Sequence, residues 1–321
     1  MKRFVCFWLS LMLLVSAAYA ADSYNSFMDD SKNAGIYDQF AWDGEYVYWL
    51  HTPNDGSWAN PPANLYRMVP GSGEAQLLLE GSEDLYIHSM LNIGDSLLLS
   101  VSEEIDAQSH PALINFDGSD FRMLPGNIGS VVPGEGAIYN CADGEIYRIS
   151  LKDMKPKRIY KFPANLLDKN PVLKQYADGK LYYSTEEHAW YEFDVRSGKV
   201  IKIAEIRGEG FVLDGMLYIS DLDAMDGTWR YDISSGNRVQ VSERIYNFQQ
   251  GSGSTVLAVG DDPDSWFQGV LFDFSAPVTN LEEVRTDTCD EYYDVLLDGR
   301  ILHYNWQKNR VDWKENLVGE F

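Results

Sequence analysis

Apolar and polar positions along this chain fall into short alternating runs that recur in pairs. Gln175 to Ser184 reads QYADGKLYYS, Gly210 to Ser220 GFVLDGMLYIS, Phe40 to Leu50 FAWDGEYVYWL and Val295 to Tyr304 VLLDGRILHY. Each is a short apolar strand, an Asp-Gly turn, and a second strand rich in Tyr, Val, Ile and Leu. Asp-Gly between two such runs predicts a tight hairpin, because both turn positions require φ > 0. Weaker copies start at Leu91 (LNIGDSLLLSV), Val131 (VVPGEGAIYNC) and Gln249 (QQGSGSTVLAV) and bring the number to seven.

A second hairpin follows each copy, as in Asn64 to Glu80 (NLYRMVPGSGEAQLLLE), Trp190 to Ile203 (WYEFDVRSGKVIKI) and Thr228 to Val241 (TWRYDISSGNRVQV), with a clipped version at Val311 to Phe321. Paired hairpins recurring with a period of about 36 to 50 residues lie in the range of propeller blades. The expected fold is therefore all-β: a single β-propeller of four-stranded blades spanning residues 38–321. Seven blades are expected, with six or eight left open because the copy from Ile128 to Ile159 is short. A β-sandwich also has many short strands, but it does not repeat two hairpins in a fixed order.

The stretches Asp43 to Trp49 with Leu65 to Leu79, and Asp178 to Ser184 with Tyr191 to Ile203, carry a resemblance. They are similar to the YWTD-type repeat of low-density-lipoprotein-receptor propellers, and more so to uncharacterised secreted bacterial relatives of that group. The resemblance implies blade geometry and transfers no functional residue. It also implies six blades, where seven copies are counted here.

The N-terminus has a different character. Lys2 and Arg3 precede an apolar run from Phe4 to Ala17, and Ala18-Tyr19-Ala20 supplies the small residues that signal peptidase accepts. This predicts a signal peptide over 1–20, cleaved after Ala20, and a secreted or periplasmic protein. No later stretch is long and apolar enough to predict a membrane span. Residues 21–37 form a polar extension expected to pack on the ring or pair with the last blade, with Asp29 to Asn33 mobile. The chain carries 26 basic and 49 acidic side chains, a net charge of −23. Such a surface repels nucleic acid and anionic lipid and favours solubility and cationic partners. Export permits a disulfide, but Cys141 and Cys289 fall in the third and seventh blades, too far apart for a bridge. Two unbridged thiols are expected.

Tight Asp-Gly turns put the first-to-second connections on one face. The long second-to-third connections then emerge on the other face, and binding residues concentrate on loops held by a rigid scaffold. Trp58, Trp266 and Trp306 fall in or beside these loops, where exposed aromatics can stack on sugar rings or peptide side chains; packing against their own blades is the alternative. Asp221, Asp223 and Asp226, followed by Gly227, invite a calcium reading. Their spacing is not that of an EF-hand, and solvated acidic turns explain them more cheaply, so no metal or other cofactor is expected, with calcium as the alternative.

A second candidate site is the central channel. Counting back six residues from each turn glycine gives Asp38, His88, Ser130, Leu173, Glu209, Asn247 and Tyr293. Six of these seven are polar, and a ring of converging polar groups can hold a small ligand. The five histidines show no metal-ligand spacing, and no nucleophile elbow or phosphate-binding loop is present. The leading expectation is an exported, non-enzymatic binding or scaffold propeller that holds a protein, peptide or glycan on its loop-rich face. The alternative is a hydrolase or lyase of extracellular polysaccharide, with Glu209 or a loop carboxylate as acid or base.

Overall fold

A computed structural model of the chain describes residues 26–30, 32–34, 39–53, 61–105, 107–167, 169–186, 188–260, 269–276, 278, 281, 285–287, 292–305 and 308–313. It is a β-propeller of seven antiparallel blades with strands in simple sequence order. The innermost strands are Phe40–Trp42, Tyr86–Asn92, Ser130–Gly134, Val172–Ala177, Gly210–Leu213, Tyr246–Ser252 and Tyr292–Leu297, in blades 1 to 7 respectively. Blades 2 to 6 have four strands each, and three strands are described for blade 7. Blade 1 has a fifth, Asn33–Ala34, paired to the inner side of Phe40–Trp42. A single helical turn, α1 (Ala164–Leu167), joins blades 3 and 4.

The turns have the predicted chemistry. Asp178-Gly179, Asp214-Gly215 and Asp298-Gly299 all have φ between 50° and 78°, the left-handed pair a two-residue hairpin needs. Asp43 works differently: its carboxylate accepts the backbone N–H groups of Glu45 and Tyr46 at 2.8 and 2.7 Å. Asp143-Gly144, with φ of 53° and 71°, closes the second-to-third connection of blade 3. That tight closure is why the third copy is short.

Each second strand lies between two neighbouring blades and is covered on both faces, so it reads as a continuous apolar run rather than an alternation. Ser96–Ser102 and Ala137–Ala142 are buried throughout. Outer strands such as Arg238–Ser242 and Pro156–Lys161 are mostly exposed. There is accordingly no single central core. Seven clusters of buried side chains occur among the described residues, each joining two adjacent blades. Trp49 of blade 1 packs with Leu302 of blade 7, for example, and Tyr139 of blade 3 with Leu181 of blade 4. Seven blades sharing seven interfaces can only be a closed ring, which leaves no long sheet edge exposed.

Cys141 is a buried free thiol whose S–H donates to the Pro171 carbonyl at 3.4 Å. Burial pushes the thiol up to about 12, which makes it chemically inert. Cys289 lies outside the described residues.

Candidate functional site

The second-to-third connections and the starts of the inner strands share one face, and a cavity of about 420 Å3 opens there between blades 1 and 2, with blade 7 behind it. His51 ends the second strand of blade 1, and His88 lies in the inner strand of blade 2. Gln39 precedes the inner strand of blade 1, and Tyr304 belongs to the second strand of blade 7. All four line the cavity, with Leu50, Ile87 and Ile105 supplying aliphatic wall. Although the chain is strongly acidic, no Asp, Glu, Lys or Arg lines the cavity among the described residues.

Hydrogen bonds fix the two imidazoles. His51 Nδ1 shares a 2.7 Å hydrogen bond with the Tyr304 hydroxyl. His88 Nε2 lies 2.7 Å from Ser102 Oγ, whose proton goes to the Glu104 carbonyl. Ser102 must therefore accept from His88, so Nε2 carries the hydrogen and Nδ1 keeps a lone pair. Burial pushes both imidazoles below their usual value, leaving them neutral at neutral pH.

His88 reaches this position through a backbone irregularity. The ladder between the first two strands of blade 2 slips between Ile87 and Ser89, so His88 is the extra residue of a β-bulge. Equivalent slips make Lys174 the extra residue in blade 4 and Gln249 in blade 6. Bulges re-aim side chains and are frequent beside binding sites. They also defeat a count from the turn glycine, which assumes an unbroken ladder. The count selects Leu173, which is buried in the core, and passes over Lys174 beside it.

Of the other channel candidates, Glu209 is exposed and accepts two 2.9 Å hydrogen bonds from Lys174 Nζ, tying blade 4 to blade 5. Ser130 is spent in a structural bond, its Oγ accepting the Leu173 N–H at 2.8 Å. Asn247 is exposed, and its backbone carbonyl accepts from Gln249 Nε2. Tyr293 is in the inner strand of blade 7, opposite Tyr304 in the register, and nothing of its side chain is described. Asp38, Trp58, Trp266 and Trp306 lie outside the described residues. Trp58 falls in the sequence between Thr52 and Pro61, both of which line the cavity.

The three carboxylates of the blade 5 loop have separate partners. Asp221 Oδ1 accepts the backbone N–H groups of Asp223 and Ala224. Asp223 pairs with Arg207 at 3.5 Å and stands 4.0 Å from His188 Nε2. Asp226 accepts from the Trp229 indole N–H at 2.8 Å. The loop is a set of capped turns, and no cluster of three or more metal-ligating side chains occurs among the described residues.

The opposite face is crossed by the chain's own N-terminal segment. Ser26 brackets Tyr176 of blade 4, its N–H donating to the Tyr176 carbonyl at 2.7 Å and its Oγ accepting the Tyr176 N–H at 2.8 Å. Phe27 stacks on Phe211 of blade 5 at 4.4 Å. The carbonyls of Phe27 and Met28 accept from Gly251 and Gly253 of blade 6. A Cβ on Gly251 would meet the Met28 sulfur, so a larger residue there would force the Met28 side chain to shift. Lys32 then accepts from Trp42 of blade 1, and Asn33 Nδ2 donates to the Asn92 carbonyl of blade 2 at 3.1 Å. This segment packs on the ring, pairing with the first blade rather than the last, and Asn33 Nδ2 also donates to Asp30 Oδ2 at 2.9 Å.

The comparisons address the fold. One solved structure similar to this chain is the crystal structure of a mitotic checkpoint complex: the TM-score is 0.60 at 11% identity, over 91% of this chain and 92% of that one. The likeness is one of fold. No family model matches the chain, and no curated protein does. The propeller expected from the repeats is there, in a ring of seven blades rather than six, and no family model supports the YWTD type.

Proposed function

We propose that this chain is an exported, non-enzymatic binding propeller that holds a partner on its loop-rich face. The observation behind this reading is the asymmetry of the ring. One face is crossed by residues 26–30 and 32–34, which hydrogen-bond to four blades and stack on a fifth. The other keeps a cavity lined by hydrogen-bonding side chains, with no charged side chain among the described residues of its lining. A rigid ring with one closed and one receptive face suits a scaffold, since loops on a fixed frame bind without a large ordering cost. The likeness to a chain of a protein complex agrees with this but does not carry it. For the hydrolytic alternative, Glu209 would need a second carboxylate at catalytic distance. Its partner is Lys174 instead.

The test is affinity capture from the envelope and secreted fractions of the source cells. Wild type would be compared with a Trp58→Ala/Trp266→Ala variant, altered in the sequence between the second and third strands of blades 1 and 6, and with Asp298→Ala on the turn face. A partner held by wild type and Asp298→Ala but lost by the double variant is the expected result. Equal retention by all three would refute the loop-face reading.

A further inference from the structure

We infer that the cavity between blades 1 and 2 is a subsite for an uncharged, hydroxyl-rich ring, namely a neutral saccharide unit of a glycan. The inference rests on the loop-face reading above and names what that face would hold.

Three observations point this way. The first is charge. In a chain with 49 acidic and 26 basic residues, no charged side chain lines the cavity among the described residues. An anionic or cationic group placed there would be desolvated without a counter-charge from the described residues, which is costly.

The second is the type of polar group. A neutral imidazole, a phenol, an amide and an alcohol each offer both a donor and an acceptor. His51, His88, Tyr304, Gln39 and Thr52 bring these types to one cavity. Sugar hydroxyls are also both donor and acceptor, and a ring carrying several of them can engage several such partners. An aliphatic or aromatic peptide side chain carries at most one polar group and would leave most of these partners unmatched, at a cost for each buried group. The His88 tautomer fits the same picture, because its Nε2–H is committed to Ser102 and its Nδ1 lone pair remains to accept from a hydroxyl.

The third is shape. About 420 Å3 lies within the range of small-ligand pockets. Ile87, Ile105 and Tyr86 supply apolar wall that can meet the C–H face of a sugar ring.

The test uses the full chain, produced with its own N-terminal segment so that any processing occurs. Binding is read first on an array of neutral, uronate-bearing and amine-bearing oligosaccharides. Calorimetry follows with maltose, cellobiose and diacetylchitobiose as neutral probes. At least one neutral saccharide should bind, with charged analogues of the same linkage at least tenfold weaker. His88→Leu and Gln39→Ala should each weaken binding tenfold or more, while Asp153→Asn on the turn face leaves it unchanged. Tyr304→Phe keeps the ring and removes one hydroxyl, so it supplies a second reading if His88→Leu fails to fold. The inference is overturned if charged saccharides bind as well as neutral ones, if folded variants bind like wild type, or if no saccharide binds. If no saccharide binds but His88→Leu loses a partner captured from cell fractions, the saccharide assignment falls and the loop-face reading stands. If both are absent from folded protein, the loop-face reading falls as well.

Discussion

The two faces of the ring are made from the same repeated hairpins, yet they treat their polar groups in opposite ways. On the turn face, residues 26–30 and 32–34 behave like an internal ligand. Carbonyls of Phe27, Met28 and Lys32 accept from blades 6 and 1, and Ser26 and Asn33 bracket backbone groups of blades 4 and 2. On the loop face, His51 and His88 each use one ring nitrogen on a neighbouring hydroxyl and line an open cavity. In a fold whose blades are near copies, repetition cannot mark the site. What marks it is where the protein has left hydrogen-bonding capacity unspent.

The strongest way to break this comparison is to attack the segment on the turn face. Met28 is 4% exposed and packs into the cluster shared by blades 5 and 6. Met28→Ala should cost about 2–5 kcal/mol, lost burial plus the cavity left behind. It would be read as a lower urea midpoint at unchanged slope. Ile105→Ala on the cavity rim, where the side chain is 40% exposed, should stay within about 0.5 kcal/mol. Equal costs at the two sites would mean that the faces do not divide the labour of stability and binding.

Two adjacent residues of blade 4 sharpen the same point. The buried Gln175 amide imitates a strand: its Nε2 donates to the Val212 carbonyl and its Oε1 accepts the Val212 N–H, both at 2.7 Å. Gln175→Leu strips a buried peptide group of both bonds and should cost about 1–3 kcal/mol in chemical denaturation. Lys174 next to it makes a 2.9 Å contact to Glu209, but with side chains 23% and 48% exposed. Glu209→Gln should therefore change stability by about 0–1 kcal/mol. A large loss in that variant would show that the ion pair is shielded from solvent and belongs to the framework.

The hairpins were legible because their turns are local chemistry. Asp178-Gly179 announces its geometry in two residues, and seven such signals in order leave little besides a ring. The cavity was legible only in part. His88 follows from position in the repeat, but its partners do not: His51 meets Tyr304 across 253 positions, where the ring closes between blades 7 and 1. Lys174 was hidden because a bulge has no signature in the strand that carries it. The turn-face segment was hidden for another reason. SFMDD carries no strand period, and its placement comes from contacts with blades 4, 5 and 6 rather than from its own propensity.

The smallest predicted effect distinguishes the faces by the sign of their response to acid. Burial holds His51 and His88 below the ordinary histidine value near 6.5, so the unfolded chain takes up protons there before the folded one does. Stability should fall as pH drops below about 6.5, until the folded imidazoles also protonate, and these groups contribute no slope above that. Asp30 on the turn face is buried, and its carboxyl is raised by that burial against the opposing hydrogen bonds from Asn33 and Lys32. Here the folded state binds the proton first, so stability should rise as pH falls from the raised folded value towards the ordinary 3.8. Denaturation midpoints across this range should lose the acid-side decline in His51→Gln/His88→Gln and lose the acid-side gain in Asp30→Asn. If both variants shift the profile in the same direction, the two faces do not differ in how they bury titratable groups. The loop-face imidazoles would then owe their neutrality to something other than the cavity they line.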